Sequence, residues 1–374
     1  MINRLPISNI EQKLFKGEAI LLFGARQVGK TTLLECLIKQ YEASVLHISG
    51  DEPDVRELFT NINSTQLKNY IGNNKIIFID EAQRIPNIGL TLKLITDKLK
   101  NLQVIATGSS SFEMANQMNE PLTGRKFEFR LFPISFSEMV NHHGLLEEKR
   151  QLEQRLIYGA YPEIITAPQQ SEELLNLLAD SYLYKDILML DSVKRPKLLE
   201  KILKALALQI GSEVSFNEIA QLVGADKGTV EKYIHLFEQT FVIFTLPSFS
   251  RNVRNELKKS KKIYFYDCGI RNAVIGNYSP VHKRTDVGAL WENYLMAERM
   301  KKLHYENSKA KSFFWRTTQQ QEVDLVEEGN NKIAAFEFKW NEKLNVKFPK
   351  TFLDAYPNTS INVISKTNYE EFLL

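Results

Sequence analysis

The chain of 374 residues lacks the features that mark membrane-spanning, secreted and metal-cluster proteins. Its only cysteines, Cys36 and Cys268, do not have the spacing of a metal site, and so low a cysteine content is typical of a reduced compartment. No apolar run approaches the ~18 residues of a membrane span. The segment from Met1 to Pro6 lacks the apolar core of a signal peptide. We therefore expect a cytoplasmic protein that does not bind a membrane.

The chain also has little excess charge of either sign. Its formal net charge of +3 does not by itself indicate nucleic-acid binding, so local patches have to make that case. A hydrophobic content of 43% and a charged content of 25% are typical of a globular protein. At this length, two or three domains are expected.

The segment Gly24–Thr32 fits the phosphate-loop pattern G-x-x-x-x-G-K-[ST] at every fixed position. The apolar run Ala19–Phe23 before it predicts a buried strand, and a helix from Lys30 to about Tyr41 is predicted after it. In this arrangement, backbone N–H groups surround a triphosphate, Lys30 reaches its outer phosphates and the Thr31 hydroxyl ligates Mg²⁺. The sequence therefore predicts ATP and Mg²⁺ as cofactors.

A second apolar run, 76–79, ends in the carboxylates of Asp80 and Glu81. It predicts a strand buried on both faces, and open parallel sheets place their ligands where such strands end. Asp80 is predicted to hold the Mg²⁺ hydration shell opposite Thr31. Glu81 is predicted to orient or deprotonate the attacking water.

A third predicted strand segment, 102–111, ends in small hydroxyl residues. Either Thr107 or Ser109 is a candidate to approach the γ-phosphate, although the same serines also suit a helix cap. The predicted nucleotide-binding residues are Gly24, Ala25, Arg26, Gln27, Val28, Gly29, Lys30, Thr31, Thr32 and Ser109.

These three strands, taken in this order, resemble the AAA-type branch of P-loop ATPases. Four later segments extend the resemblance to a prokaryotic family of AAA-type ATPases with a C-terminal domain of unknown function; they lie at 122–125 (LTGR), 129–138 (FRLFPISFSE), 158–163 (YGAYPE) and 182–187 (YLYKDI). The resemblance implies that Arg125 is a catalytic sensor or arginine finger, acting in cis or in trans. Arg26 is a second candidate for a phosphate contact. Each arginine is equally compatible with a surface ion pair.

The segment from Ser215 to Glu238 has a helix-turn-helix pattern. Ser215 with Glu218 predicts a capping box, Gly224 ends the first helix and Asp226 caps the second. A strand-like run follows, so the region resembles a winged helix. The predicted wing carries Arg251, Arg254, Lys258, Lys259, Lys261 and Lys262, of which the first four are the candidate DNA contacts. A structural lid is the alternative role.

The last ~90 residues carry the order Glu292, Asp324, Glu337 and Lys339, which resembles the PD-(D/E)xK nuclease core. The resemblance implies that Asp324 and Glu337 would ligate one Mg²⁺ from adjacent strands, that Glu292 would complete the metal shell, and that Lys339 would orient or activate the hydrolytic water. The departure from the fullest pattern is that Glu322-Val323-Asp324 stands where Pro-Asp would be. The alternative is an inactive nuclease fold that serves as a docking module.

The predicted fold class is α/β: a P-loop NTPase parallel sheet between helices, then a winged helix and a small restriction-endonuclease-like domain. The predicted domains are 1–170 (ATPase), 171–280 (helical linker and winged helix) and 281–374 (nuclease-like). Two functions remain open. One is an ATPase coupled to DNA binding or processing, and the other is a nucleotide-dependent switch that binds a protein partner. Self-association is possible in either.

Overall fold

The computed structural model describes residues 2–109, 122–183, 195–250, 261–341 and 346–374. The chain falls into two compact units. The first comprises Asn3–Pro133 with Gln239–Phe241, and the second comprises Ile134–Glu238 with Val242–Leu374. In the described part of the chain, no helix is both long enough and apolar enough to span a bilayer.

The first unit contains a five-stranded parallel sheet with the strand order β2-β3-β4-β1-β5. Its strands are β1 (Ala19–Phe23), β2 (Val45–Ser49), β3 (Ile76–Asp80), β4 (Gln103–Gly108) and β5 (Lys126–Arg130). Its helices are α1 (Pro6–Glu11), α2 (Lys30–Ile38), α3 (Pro53–Thr60), α4 (Ser64–Ile71) and α5 (Ile88–Lys98), with 3-10 turns at Lys39–Ser44 and Ala82–Arg84.

The burial of the central strands explains why their sequences are continuously apolar. Every residue of β1 and β4 is buried, as are the first four residues of β3. Parallel strands covered by helices on both faces need such runs. Because all five strands run the same way, β1, β3 and β4 end at one edge of the sheet. The predicted parallel sheet is confirmed, and α2 ends at Ile38, three residues before the predicted Tyr41.

The second unit begins with short helices, which are α6 (Phe136–His143), α7 (Leu145–Arg150), α8 (Leu152–Tyr158), α9 (Pro162–Thr166) and α10 (Ser171–Leu177). A 3-10 turn occupies Pro168–Gln170, and a π-helical segment, Leu178–Leu183, follows α10. The helix α11 (Pro196–Leu208) begins with a proline, whose fixed φ suits the first turn of a helix.

The middle of the second unit places two consecutive helices against a small antiparallel sheet. The elements are β6 (Glu213–Val214), α12 (Phe216–Val223), α13 (Lys227–Gln239), β7 (Ile243–Pro247) and β8 (Lys261–Phe265), with the sheet order β6-β8-β7. The Ser215 hydroxyl accepts from the N–H of Glu218, Gly224 adopts a φ of 70°, and Asp226 accepts from the N–H of Thr229. The predicted helix boundaries are therefore confirmed, and of the predicted capping box only the bond from the Glu218 N–H to the Ser215 hydroxyl is present.

The last part of the second unit is a mixed sheet with the strand order β12-β11-β10-β9. Its elements are α14 (Cys268–Ile275), a 3-10 turn (Val281–Lys283), α15 (Val287–Tyr305), β9 (Lys311–Arg316), β10 (Glu322–Gly329), β11 (Lys332–Phe338), α16 (Lys350–Ala355), β12 (Thr359–Ile364) and α17 (Tyr369–Leu373). β9, β10 and β11 are antiparallel neighbours, and β12 lies parallel to β11. β10 and β11 form a hairpin, with Asn330 and Asn331 at positive φ in its turn.

The segment 134–170 belongs to the second unit, whereas the sequence places the end of the first domain near residue 170. The buried Asp267 carboxylate accepts from the N–H of Ala160 at 2.7 Å, and the Asn272 amide donates to the carbonyls of Leu156 and Ile157 at 2.9 and 2.8 Å. These bonds fasten the end of α8 and the start of the YGAYPE segment to α14 and its cap residue Asp267. The division into three domains stays a prediction.

Replacing Gly159 by alanine tests this fastening. Gly159 has a φ of +70°, and a Cβ there would lie 2.0 Å from Asp267 Oδ1, whereas Gly276 has a φ of +66° and open space around it. We expect Gly159→Ala to lower the unfolding free energy of the second unit by about 3 kcal/mol and Gly276→Ala by about 1 kcal/mol. Urea unfolding of both variants measures the difference. Equal losses would show that Asp267 does not confine Gly159.

Candidate functional site

The phosphate loop joins β1 to α2 at the carboxyl edge of the parallel sheet. Gly24 is the first residue after β1, and it lies very close to the residue that follows β5. A Cβ on Gly24 would lie 2.2 Å from the Leu131 carbonyl oxygen. Gln27 and Gly29 adopt φ angles of 58° and 90°, in the left-handed region. The turn therefore needs its first glycine for space and its second for backbone conformation.

Lys30 lies at the start of α2 and is 6% exposed. Its ammonium group donates to the carbonyl oxygens of Gly24 at 2.8 Å and Ala25 at 2.9 Å. The buried charge is thus satisfied by the loop that it is predicted to serve. The sequence does not reveal a further support, Arg4, which is buried and donates to the carbonyls of Val28 and Phe132 at 2.6 Å each.

The side chains of Thr31, Asp80 and Thr107 meet at the same edge. Thr31 Oγ1 lies 3.5 Å from Asp80 Oδ2, and the Thr107 hydroxyl donates to Asp80 Oδ1. The same Thr107 oxygen accepts from the N–H of Glu81 at 3.2 Å. A hydroxyl and a carboxylate this close supply oxygen ligands of the kind that Mg²⁺ prefers. The predicted residues therefore fit a Mg²⁺-nucleotide, and their individual roles stay predictions.

Glu81 follows β3 in a left-handed conformation with a φ of 47°. Its carboxylate accepts from Gln83 Nε2 at 2.5 Å, and the same nitrogen lies 3.3 Å from Ser109 Oγ. Ser109 is thus connected to Glu81, while Thr107 is connected to Asp80. Either Thr107 or Ser109 is predicted as the polar group at the end of the third strand, which is β4, and both residues lie beside Asp80 and Glu81.

Arg125 lies at the opposite edge of the sheet. Its carbonyl oxygen accepts from the N–H of Ala19, the first residue of β1, whereas the phosphate loop follows the last residue. Its guanidinium pairs with Asp97 Oδ1 at 2.8 Å and lowers the pKa of that carboxyl through the hydrogen bond. A contact with the phosphate loop of the same chain is inconsistent with this placement. A role in trans stays a prediction, as does the role of Arg26, which lies half-buried in the loop.

The second unit brings together all four residues of the predicted nuclease-like set. A bulge interrupts the pairing of β10 with β9 between Val323 and Val326, and this irregularity includes Asp324. Asp324 Oδ2 accepts from the N–H of Phe338 at 2.8 Å, and Lys339 Nζ donates to Glu337 Oε2 at 2.7 Å while lying 3.8 Å from Asp324 Oδ2.

Glu292 lies on α15 near Asp324 and Glu337, but its carboxylate already forms an ion pair with Lys262. Lys262 Nζ donates to Glu292 Oε1 at 3.0 Å and also pairs with Glu322, and the Tyr264 hydroxyl donates to Glu292 Oε1 at 2.6 Å. Lys262 is fully buried. Its predicted place among the solvent-facing cations of the wing is therefore wrong, because the carboxylates hold it inside the unit.

Burial dominates the electrostatics of this carboxylate cluster (Glu292, Glu322, Asp324 and Glu337). It raises the pKa of Glu292 and that of Glu337, and the Asp324 charge raises both further. For Lys262, burial lowers the pKa, but the neighbouring carboxylates, Glu292 first, raise it overall. Within the described ranges, no three or more His, Cys, Asp or Glu side chains are arranged to hold a metal ion. The predicted Mg²⁺ shell of Glu292, Asp324 and Glu337 is therefore not preformed.

The four candidate DNA contacts, Arg251, Arg254, Lys258 and Lys259, lie outside the described residues. So do Ser110 and Ser111 of the third predicted strand segment and the end of the segment 182–187. On α13, Lys227 pairs with Glu231 at 3.4 Å on the solvent-exposed surface. That helix face therefore offers little uncompensated positive charge.

Three family models match consecutive parts of the chain. Residues 16–140 match the AAA domain, residues 149–280 match a domain of unknown function (DUF8612), and residues 287–372 match another (DUF4143). The first match covers the phosphate loop and the residues after β3 and β4. The amino-terminal region thus matches an AAA-domain model, and residues 287–372 match a domain of unknown function, in agreement with the resemblance drawn from the sequence.

The chain is also similar to several uncharacterized proteins, and its fold is similar to that of a solved ATPase. It is 24% identical over 357 residues to a protein of Methanocaldococcus jannaschii, covering 89% of this chain and 76% of that one. It is 25% identical over 346 residues to a protein of Mycobacterium tuberculosis, covering 89% and 72%. A Walker-type ATPase of Pyrococcus abyssi superposes with a TM-score of 0.52 at 16% identity, covering 73% of this chain and 96% of that one. This last likeness concerns the fold.

The raised pKa of Glu337 predicts how stability depends on pH. Burial raises this pKa from 4.5 to about 7 in the folded chain. The native state therefore keeps a proton that the unfolded chain loses, so its stability contribution is present below about pH 4.5 and is lost as the pH rises to about 7. We expect the decline over this window to be shallower in Glu337→Gln, measured by urea unfolding, than in wild type or the exposed control Glu371→Gln. An unchanged slope would contradict the raised pKa.

Proposed function

We propose that this chain is a Mg²⁺-dependent ATPase whose hydrolysis is coupled to DNA binding or processing. The AAA-type domain would bind and hydrolyse ATP, and the second unit would act on DNA. The observation that carries the first part is the meeting of Thr31, Asp80 and Thr107 beside the phosphate loop. These side chains come from three separate segments, so a chance match to a short sequence pattern would not bring them together.

In this proposal each residue has one task. The backbone N–H groups of the loop and the α2 amino terminus bind the phosphates, and Lys30 neutralises their charge. Thr31 and Asp80 would hold Mg²⁺, which supplies charge neutralisation to the β- and γ-phosphates. Glu81 orients and deprotonates the attacking water. Arg125 would complete a neighbouring copy's site, which requires self-association.

Support for DNA binding comes from the helices and small sheet between β6 and β8. Their order and antiparallel pairing are those expected of a winged helix, and in the sequence the basic segment 251–260 falls between β7 and β8. Contacts from a wing would go mainly to phosphates, so they would position DNA without reading its sequence.

Support for a nuclease-like fold comes from the topology of the last part of the chain. One helix, three antiparallel strands, a second helix and a final strand parallel to the third follow one another from α15 to β12. Asp324 and Glu337 lie on neighbouring strands, and Lys339 donates to Glu337. Phosphodiester cleavage at this cluster would require a metal to share Glu292 with Lys262 or to displace it.

One observation favours a second function, in which the chain is a nucleotide-dependent switch that binds a protein partner. Lys262 already supplies the positive charge that a metal would bring to Glu292. A carboxylate cluster neutralised by its own lysines suits an inactive adaptor. The two functions differ in whether DNA binds and whether it is cut, so plasmid cleavage by wild type and Asp324→Ala in Mg²⁺ or Mn²⁺ separates them.

Substitutions at the phosphate loop and after β3 test hydrolysis. We expect Lys30→Ala to abolish nucleotide binding, because the outer phosphates lose their buried counter-charge. We expect Glu81→Gln to keep ATP affinity while kcat falls by about 100-fold, since the general base is lost. Phosphate release and binding of a fluorescent ATP analogue are the measurements, and the exposed Lys68→Ala is the control. A wild-type kcat in Glu81→Gln would exclude Glu81 as the base.

Salt dependence tests the DNA contacts. Each phosphate contact made by a cation contributes about −0.9 to the slope of log K against log salt concentration for duplex DNA. We expect the combined alanine variant of Arg251, Arg254, Lys258 and Lys259 to bind a short duplex more weakly and with a shallower slope than wild type. The control variant removes the same number of positive charges elsewhere, at the exposed lysines Lys16, Lys68, Lys98 and Lys309. Equal slopes in both variants, or no binding by wild type, would favour the protein-binding switch.

A further inference from the structure

A buried glutamine beside the nucleotide site has no role in the function proposed above. Gln83 lies in the 3-10 turn Ala82–Arg84 directly after Glu81 and is 8% exposed. The left-handed conformation of Glu81 starts this turn, so the chain folds back after β3 and Gln83 approaches Glu81. Gly50 approaches this turn closely, since a Cβ on Gly50 would lie 2.3 Å from the Glu81 carbonyl oxygen.

The hydrogen bonds of Gln83 fix which end of its amide faces Glu81. An ionised carboxylate only accepts hydrogen bonds, so the amide nitrogen must face it. That nitrogen lies 2.5 Å from Glu81 Oε2 and 3.3 Å from Ser109 Oγ. Its two N–H groups are therefore directed to the residue proposed as the base and to the hydroxyl proposed to approach the γ-phosphate.

The other end of the amide is buried without a partner. Gln83 Oε1 accepts no hydrogen bond from any described residue. Buried acceptors of this kind are uncommon because they lose their hydration without replacement. Such an atom at a reaction site is suited to receive a donor that arrives with the substrate.

The donor that hydrolysis requires is water. A water molecule that attacks the γ-phosphorus has two protons and must direct a lone pair at phosphorus. One proton goes to Glu81 as the base, and the second needs an acceptor on the same side. The Oε1 atom of Gln83 belongs to an amide already hydrogen-bonded to Glu81, so it can take that position.

We propose that Gln83 is a positioning residue for ATP hydrolysis. Its N–H groups hold the Glu81 carboxylate beside Ser109, and its Oε1 accepts a hydrogen bond from the attacking water. In the chemical step the water oxygen bonds to the γ-phosphorus, its proton passes to Glu81, and the bond from the γ-phosphorus to the bridging oxygen breaks, giving ADP and phosphate. Gln83 itself neither gains nor loses a proton. This inference rests on the proposed ATPase activity.

The test compares two variants that remove different parts of the amide. Gln83→Leu keeps approximate size and removes donor and acceptor, whereas Gln83→Glu keeps an acceptor and removes the N–H group that faces Glu81. The matched control, Gln12→Leu, makes the same change at an exposed position. Each chain is assayed for kcat and KM with Mg²⁺ and ATP, for affinity for fluorescent ADP, and for its melting temperature.

We expect kcat to fall by about 100-fold in both Gln83 variants. We expect affinity for ADP to stay within about threefold of wild type, since the lost interaction acts on the attacking water and not on the bound nucleotide. A purely structural role would weaken nucleotide binding along with turnover, so parallel losses would overturn the proposal. A kcat within twofold of wild type in either folded variant would overturn it as well.

The outcomes also separate this inference from the ATPase proposal on which it rests. If wild type releases no phosphate, or if Lys30→Ala releases it at the wild-type rate, both proposals fail. If Lys30→Ala is inactive while Gln83→Leu or Gln83→Glu turns over normally, the ATPase proposal survives and only the role of Gln83 is excluded.

Discussion

The nucleotide site depends on one buried hydroxyl group, that of Thr107. Thr107 is fully buried on β4; it donates to Asp80 and accepts from the N–H of Glu81, so both residues after β3 are held by the neighbouring strand. Because β4 lies between β3 and β1 in the sheet, the same strand also fixes the distance from these carboxylates to the phosphate loop. The relative position of Asp80, Glu81 and the phosphate loop therefore follows from strand order, and this order would place the proposed metal ligand and the proposed base beside the loop.

The second unit buries several carboxylates close together, and lysine side chains balance their charge. Lys262 and Lys339 lie among Glu292, Asp324 and Glu337, and burial keeps the pKa of both glutamates high. Such a cluster is stable when it shares protons or cations. This balance explains why the same residues suit either a metal-dependent reaction or an adaptor, and why their presence in the sequence does not decide between these functions.

The sequence predicts contacts well where one short segment carries all the information. The phosphate loop, β1, β3 and the caps at Ser215, Gly224 and Asp226 follow from local pattern and are confirmed. The sequence does not predict a contact when the two residues are far apart in the chain. Nothing near Arg125 indicates Asp97, and nothing near Lys262 indicates Glu292. Arg4 supports the phosphate loop from the start of the chain, without any motif. Among the contacts that the sequence analysis missed, only that of Gln83 is local, because Gln83 lies two residues after Glu81.

The central claim is that the first unit hydrolyses ATP at the edge organised by Thr107. The most direct measurement is phosphate release from ATP by the purified wild-type chain, with Mg²⁺ present and then removed by EDTA, each with and without DNA. Our account predicts steady turnover that stops when Mg²⁺ is removed and resumes when it is restored. A chain that binds ATP tightly yet releases no phosphate under any of these conditions would contradict it.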